Sequence, residues 1–158
     1  MIRPARFQDI PRIVGLIHDA AKGSIYARAC TFDEGEASRV VMALIAAHGR
    51  REAGGAWCGV VDRGEVEGML LMALNRVYYV AHELRAQDMF FFVTRKAGFK
   101  AGMRLLGECM DWCRQDPRIV EVVVSPNRSI GDPSKVERAL GAAGFSTFGT
   151  LHRKELRA

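Results

Sequence analysis

The sequence predicts a single α/β (α+β) domain over residues 1–158, a mixed sheet carrying helices on both faces. Three observations predict it. Hydrophobic periodicity switches between helical and strand-like stretches in the order β-α-α-β-β-β-α-β-α-β, and such an order needs a sheet covered on both sides. The chain has 158 residues, 49% hydrophobic and 26% charged, which suits one core and would be cramped for two. No internal repeat, low-complexity tract or interdomain linker divides it.

Ile2 and Arg3 open a short strand, left by way of Pro4-Ala5-Arg6. Ile10, Ile13, Val14 and Ile17 recur at helical spacing, which predicts a first helix over residues 9–22 with Asp9 as N-cap, Pro11 in its first turn and Gly23 at its C-cap. Thr31 and Glu34 stand at capping-box spacing before a second helix, whose apolar stripe is Val40, Val41, Leu44 and Ile45 and which ends near His48-Gly49. Residues 50–55 read as a surface loop.

There the period changes. Residues 56–61 and 66–74 are strand-like around the turn Asp62-Arg63-Gly64, a hairpin with Glu67 on its solvent side. Val77 to Val80 either continues it or opens the next connection. Met89 to Val93 forms the following strand. The third helix sets Gly102, Leu105, Leu106, Cys109 and Cys113 on one face and ends at Pro117. Residues 119–124 are a nearly continuous apolar run, which predicts a central strand. Asp132 caps a fourth helix, with Pro133 at its first position and Gly144 at its end, and residues 145–156 supply one or two closing strands.

The passage from Phe90 to Leu106 reads as a buried strand, a basic Gly-containing turn and the opening of a helix. A strand that feeds a helix N-terminus is a physical device for holding an anion, because the first N–H groups of the helix are unpaired and its dipole favours negative charge there. Arg95, Lys96, Lys100 and Arg104 add charge around the spot, and Gly98 and Gly102 let a ligand approach the backbone. An ordinary strand–turn–helix with solvated charge is the alternative.

Net charge is +5, but the basic residues are spread along the chain, so the preference for acidic partners is mild. No aromatic-plus-basic motif accompanies them, which argues against nucleic acid. No run approaches a membrane span, and Met1 to Arg6 lacks a signal peptide's apolar core, so a cytoplasmic protein is expected. Cys30, Cys58, Cys109 and Cys113 fit no zinc spacing and read as reduced. The four scattered histidines offer no metal pattern, and no metal is expected.

The element order, with the turn after the third long strand, resembles the GNAT-type N-acetyltransferases. Ile2-Arg3-Pro4-Ala5 with Asp9-Ile10-Pro11 looks like that family's opening, Val66-Glu67-Gly68 like its hairpin, and Gly144-Phe145 like the "G-F" closing its last helix. Together these span about residues 2–156. The chain also resembles acetyltransferase-like proteins encoded in bacteriophage genomes. The resemblance implies a mostly antiparallel sheet, acetyl-CoA as co-substrate, an amine acceptor on a small molecule or protein, and a homodimer.

In that family the cofactor loop reads R/Q-x-x-G-x-G/A before a Leu pair. Anchored on Leu105-Leu106, the matching positions here are Ala97, Lys100 and Gly102, so only Gly102 keeps its type. Gly98 and the pair Arg95-Lys96 compensate through a shifted loop. The resemblance implies backbone N–H groups of Gly98, Phe99, Lys100, Ala101, Gly102 and Met103 on the pyrophosphate, with the edge of Phe91, Phe92 and Val93 pairing the pantetheine arm.

Acetyl transfer needs a base for the amine, donors for the thioester carbonyl and an acid for the thiolate. The family's Tyr for that last task falls here on Leu140, which cannot donate a proton. The candidates are Asp88 as base, Tyr79 and Glu83 before the strand, Ser125 after the 119–124 strand, and Tyr26 and Arg28 between the first two helices. Three readings follow: an N-acetyltransferase enzyme, a catalytically degenerate GNAT-like protein acting on a protein partner, and a nucleic-acid binder.

Overall fold

A computed structural model describes residues 1–24, 26–80, 82–125 and 133–149. Strands β1 (Ile2–Pro4), β2 (Ala56–Asp62), β3 (Val66–Arg76), β4 (Leu84–Val93) and β5 (Ile119–Val123) form one sheet in the order β1-β2-β3-β4-β5. The first four pair antiparallel, and β5 runs parallel to β4. Helices α1 (Ile10–Ala21) and α3 (Glu34–Ala46) pack on one face. Helices α4 (Phe99–Arg114) and α5 (Pro133–Ala142) pack on the other, and the four-residue α2 (Tyr26–Ala29) links α1 to α3. This is a mixed α+β fold with a mostly antiparallel sheet. No helix among the described residues is long and apolar enough to cross a membrane.

Alternation along the strands divides the core. Cys58, Val60, Met69 and Leu71 serve the α1–α3 side, while Trp57, Val61, Leu70 and Met72 serve the α4–α5 side. The stripe expected on the third helix is the buried one, since Gly102, Leu105, Leu106, Cys109 and Cys113 are the buried residues of α4. Cys109 and Cys113 therefore act as small core hydrophobes.

Several expectations are corrected. Asp9 does not cap α1 through its side chain. It is buried, and its carboxylate takes the Arg3 guanidinium at 2.7 and 2.9 Å and the Arg6 N–H at 2.8 Å, ties that hold it below the usual carboxylate range. Lys22 rather than Gly23 is the C-cap of α1. Asp33 rather than Thr31 caps α3, accepting the Glu36 N–H. Strand β4 starts at Leu84 and not at Met89, because Arg76 to Met72 of β3 provide partners for its first residues. Among the described residues β5 ends the sheet order and is only partly buried, and β3 is the deeply buried strand. Residues 145–149 form no strand. The Asp132 cap and the rest of the expected closing strands lie outside the described residues, as does the Arg28 side chain.

Candidate active site

Strand β4 changes register midway. Leu71 faces Phe90 while Met72 faces Asp88, so Met89 is an extra residue bulged out of the ladder. A bulge bends its strand and ends regular pairing beside it. The parallel pairing with β5 reaches only Gln87↔Val123, and β4 runs on from Asp88 to Val93. Among the described residues no strand pairs the second edge of that extension. A cavity of about 640 Å³ opens in this splay, and α1, β4, α4, α5 and the end of β5 line it.

Beyond Val93 the chain turns through residues 94–98 into α4, and the turn is fastened to the β2–β3 hairpin. Glu67 is the anchor. It is 2% exposed, and its carboxylate takes the Lys96 ammonium and the Thr94 hydroxyl, each at 2.6 Å. Those donors, Lys96 foremost, lower its pKa to about 2. The Thr94 N–H donates to the Glu67 carbonyl, and the Ala97 N–H donates to the Thr94 hydroxyl. Arg63, on the hairpin turn, donates to the carbonyls of Lys96 and Ala97 at 3.1 Å.

This corrects the expectation that Glu67 faces solvent. The signal was available, since the apolar run Met69 to Leu74 marks a strand buried on both faces, which leaves its charged residues no free side.

The fastened turn delivers an open helix end. Gly98 caps α4 with φ +77°, in the left-handed region glycine tolerates, and no side chain closes the cap. Its own N–H donates to Thr94, and the Ala101 N–H donates to the Gly98 carbonyl. The N–H groups of Phe99 and Lys100 belong to the first turn, where the helix offers no internal acceptor. Gly98, Phe99, Gly102 and Met103 line the cavity with Arg95. Lys96 does not line it, its ammonium being turned to Glu65 and Glu67. Lys100 and Ala101 are also outside the lining, and the Lys100 side chain is exposed.

Asp88 lies at the apex of the splay, half-buried, with Oδ1 accepting the Ser125 N–H at 3.1 Å. Burial pushes its carboxyl above the usual range, and that hydrogen bond only partly opposes the shift. Ser125 also lines the cavity, so the structure brings Asp88 and Ser125 together. Tyr79 stands apart. It is 88% exposed in the β3–β4 connection, beyond Leu84, which is four strand residues or roughly 13 Å before Asp88. Glu83 is likewise outside the cavity lining, and Tyr26 and Leu140 are within it. Among the described residues no group of His, Cys, Asp or Glu could hold a metal ion.

No family model and no curated protein matches the chain. Solved structures do. An acetyltransferase of Trypanosoma brucei is similar with a TM-score of 0.69 and 13% identity, over 99% of each chain. Glucosamine-6-phosphate N-acetyltransferase of Arabidopsis thaliana is similar with a TM-score of 0.67 and 13% identity, over 99% of this chain and 97% of that one. An aminoglycoside acetyltransferase from an uncultured soil metagenomic sample, in complex with sisomicin, is similar with a TM-score of 0.64 and 14% identity, over 100% and 96%. The shared feature is the fold, a mixed α+β domain that this chain has in common with these solved acetyltransferases.

Proposed function

We propose that the protein is an acyl-CoA-dependent N-acyltransferase that moves an acetyl group from acetyl-CoA to an amine by direct attack. One observation carries this reading: the β4 edge that no strand pairs among the described residues runs into an N-terminus of α4 that no side chain caps, and a desolvated carboxylate shares their cavity. The residues fit the co-substrate. The first-turn N–H groups of Phe99 and Lys100, which have no acceptor within the helix, would hold a pyrophosphate, with the Arg95 guanidinium supplementing them. The second edge of Phe91 to Val93, opposite the one β3 pairs and without a strand among the described residues, offers strand-like hydrogen bonds to the amides of a pantetheine arm. Acetyl-CoA supplies an activated thioester carbonyl when bound.

Asp88 takes the proton that the acceptor ammonium must lose before its nitrogen attacks. The backbone N–H groups freed by the Met89 bulge are the donors for the carbonyl oxygen as charge develops there. Ser125 is the hydroxyl within reach of the leaving sulfur, and water completes the protonation, because Leu140 occupies the wall where a donor would otherwise stand.

Calorimetric titration with acetyl-CoA, with free CoA alongside, tests the reading. Micromolar binding that weakens as salt rises is expected, since phosphate contacts are screened. Absence of heat with both ligands overturns it. Leu140 favours a second reading, a protein that kept the fold for binding alone. Binding of acetyl-CoA with no CoA release in the presence of any amine supports that one.

The clamp on the turn gives a separate expectation. Glu67→Gln keeps the shape and removes the charge that holds Lys96, so acetyl-CoA binding is expected to weaken roughly tenfold. Because the Glu67 pKa is lowered to about 2, the clamp is complete above the ordinary carboxylate range and is lost as pH falls through that value. Titration of the variant at neutral pH checks this, and wild-type affinity would dismiss the clamp as a positioning device.

A further inference from the structure

The outer edge of β2 is closed along most of its length by backbone. At one end the Asp62 N–H donates to the Met1 carbonyl, and the Met1 amine donates back to the Asp62 carbonyl, both at 2.8 Å. Arg3 pairs with Val60. At the other end the Ala56 N–H donates to the Ala47 carbonyl, and the Ala56 carbonyl accepts the Gly49 N–H, so the segment after α3 continues the edge. Cys58 lies between. Its carbonyl accepts the Ala5 N–H at 3.0 Å, half of the two-bond exchange that an antiparallel pair makes. The other half goes to a side chain: the Cys58 N–H donates to Nδ1 of His48 at 2.9 Å.

A ring nitrogen accepts only while it carries no proton, so this bond requires a neutral imidazole with its hydrogen on Nε2. Cys58 is fully buried, and an unpaired N–H there would be costly. His48 is half-buried, and burial alone holds its pKa below the ordinary histidine value. The charged groups of the adjoining segments are engaged elsewhere or exposed. Arg3 of β1 holds Asp9 and Asp62, each at 2.7 Å, Arg6 is exposed, and Arg50 and Glu52 on the loop after His48 stand 4.0 Å apart. The Cys58 thiol, pushed up to about 12 by burial, stays neutral.

We propose that His48 is a proton-sensitive latch between the end of α3 and the edge of β2: neutral, it closes the gap left where β1 departs, and protonated, it sets donor against donor at the Cys58 N–H and releases the junction. The sign follows from burial. The unfolded chain protonates His48 at a higher pH than the folded one does. The latch therefore contributes fully above the ordinary histidine pKa, and its contribution is lost as pH falls through the lowered value. His48 does not line the cavity, so the latch holds whether or not acetyl-CoA binds.

Nuclear magnetic resonance titration of the whole chain, from about pH 8 to about pH 5, reads the latch directly. The Cys58 amide resonance is expected to shift in step with the His48 ring. Urea unfolding over the same range compares the wild type with His48→Asn, whose side-chain oxygen accepts an N–H without titrating, and with His48→Leu, which has no acceptor. The unfolding equilibrium constant of the wild type, relative to that of His48→Asn, is expected to rise as pH falls, by at most about tenfold per pH unit, the limit for one proton. His48→Leu is expected to be less stable than the wild type at the alkaline end and to approach it at the acid end. A Cys58 amide that ignores the His48 titration overturns the latch. So does a ratio of wild type to His48→Asn that stays constant with pH, or a His48→Leu protein as stable as the wild type at the alkaline end. Should His48→Asn fail to fold, the wild-type titration decides.

Discussion

Asp88→Asn is expected to lower kcat/KM for acetyl transfer by about 100-fold or more, with acetyl-CoA binding retained. The substitution keeps the shape and the oxygen that accepts the Ser125 N–H, and it removes the group able to take a proton. Burial already raises the Asp88 pKa, which moves a carboxylate toward the basicity that abstracting an ammonium proton requires. The sign of the pH dependence follows. Below its raised pKa Asp88 is protonated and cannot serve as base, so the wild-type rate falls on the acid side, at a higher pH than an ordinary aspartate would give. The variant should lose that acid limb together with most of its rate. A residual rate that keeps the wild-type limb would assign the base elsewhere. So would a rate loss accompanied by an equal loss of acetyl-CoA affinity, because Asp88 would then be holding the splay and not moving a proton.

Much of the architecture is legible in the chain because it rests on periodicity. The hairpin at Asp62-Arg63-Gly64 and the buried face Gly102, Leu105, Leu106, Cys109 and Cys113 come directly from repeats of two and of three to four residues. The turn from β4 into α4 is legible too, since a strand, a glycine and a helix stand in series.

What escapes the sequence is decided by partners far along the chain. Asp9 carries every local mark of an N-cap, yet Arg3 competes for its carboxylate at 2.7 Å and Asp62 joins from the hairpin turn, 2.7 Å from the same guanidinium. The Met89 bulge has no composition of its own and is fixed only by the register with Leu71 and Met72. Residues 119–124 are as apolar as a central strand. Among the described residues they pair with β4 alone, and helices α4 and α5 cover one face of the sheet there. Tyr79 is placed by the length of the β3–β4 hairpin, and once β4 begins at Leu84 it lies too far from Asp88 to share its work.

Gly102→Val is expected to weaken acetyl-CoA binding at least about tenfold and to cost about 1–3 kcal/mol of stability. A Cβ at this buried position would stand 3.1 Å from Cγ2 of Val93 and 3.7 Å from the Phe91 ring, and the two further methyl groups of valine would reach deeper into the same contact. Helix α4 must then move away from β4. The turn before it cannot follow freely, because Glu67 holds Thr94 and Lys96 while Arg63 holds the carbonyls of Lys96 and Ala97. The displacement therefore falls on the first turn of α4, where the N–H groups of Phe99 and Lys100 would meet the anion. Gly107→Ala on the same helix is the control. A Cβ there meets nothing within 4 Å, so the substitution should add up to about 1 kcal/mol through helix propensity and leave acetyl-CoA binding as in the wild type. Denaturant unfolding separates the two expectations from loss of fold. A folded Gly102→Val protein with wild-type affinity would move the phosphate site away from α4.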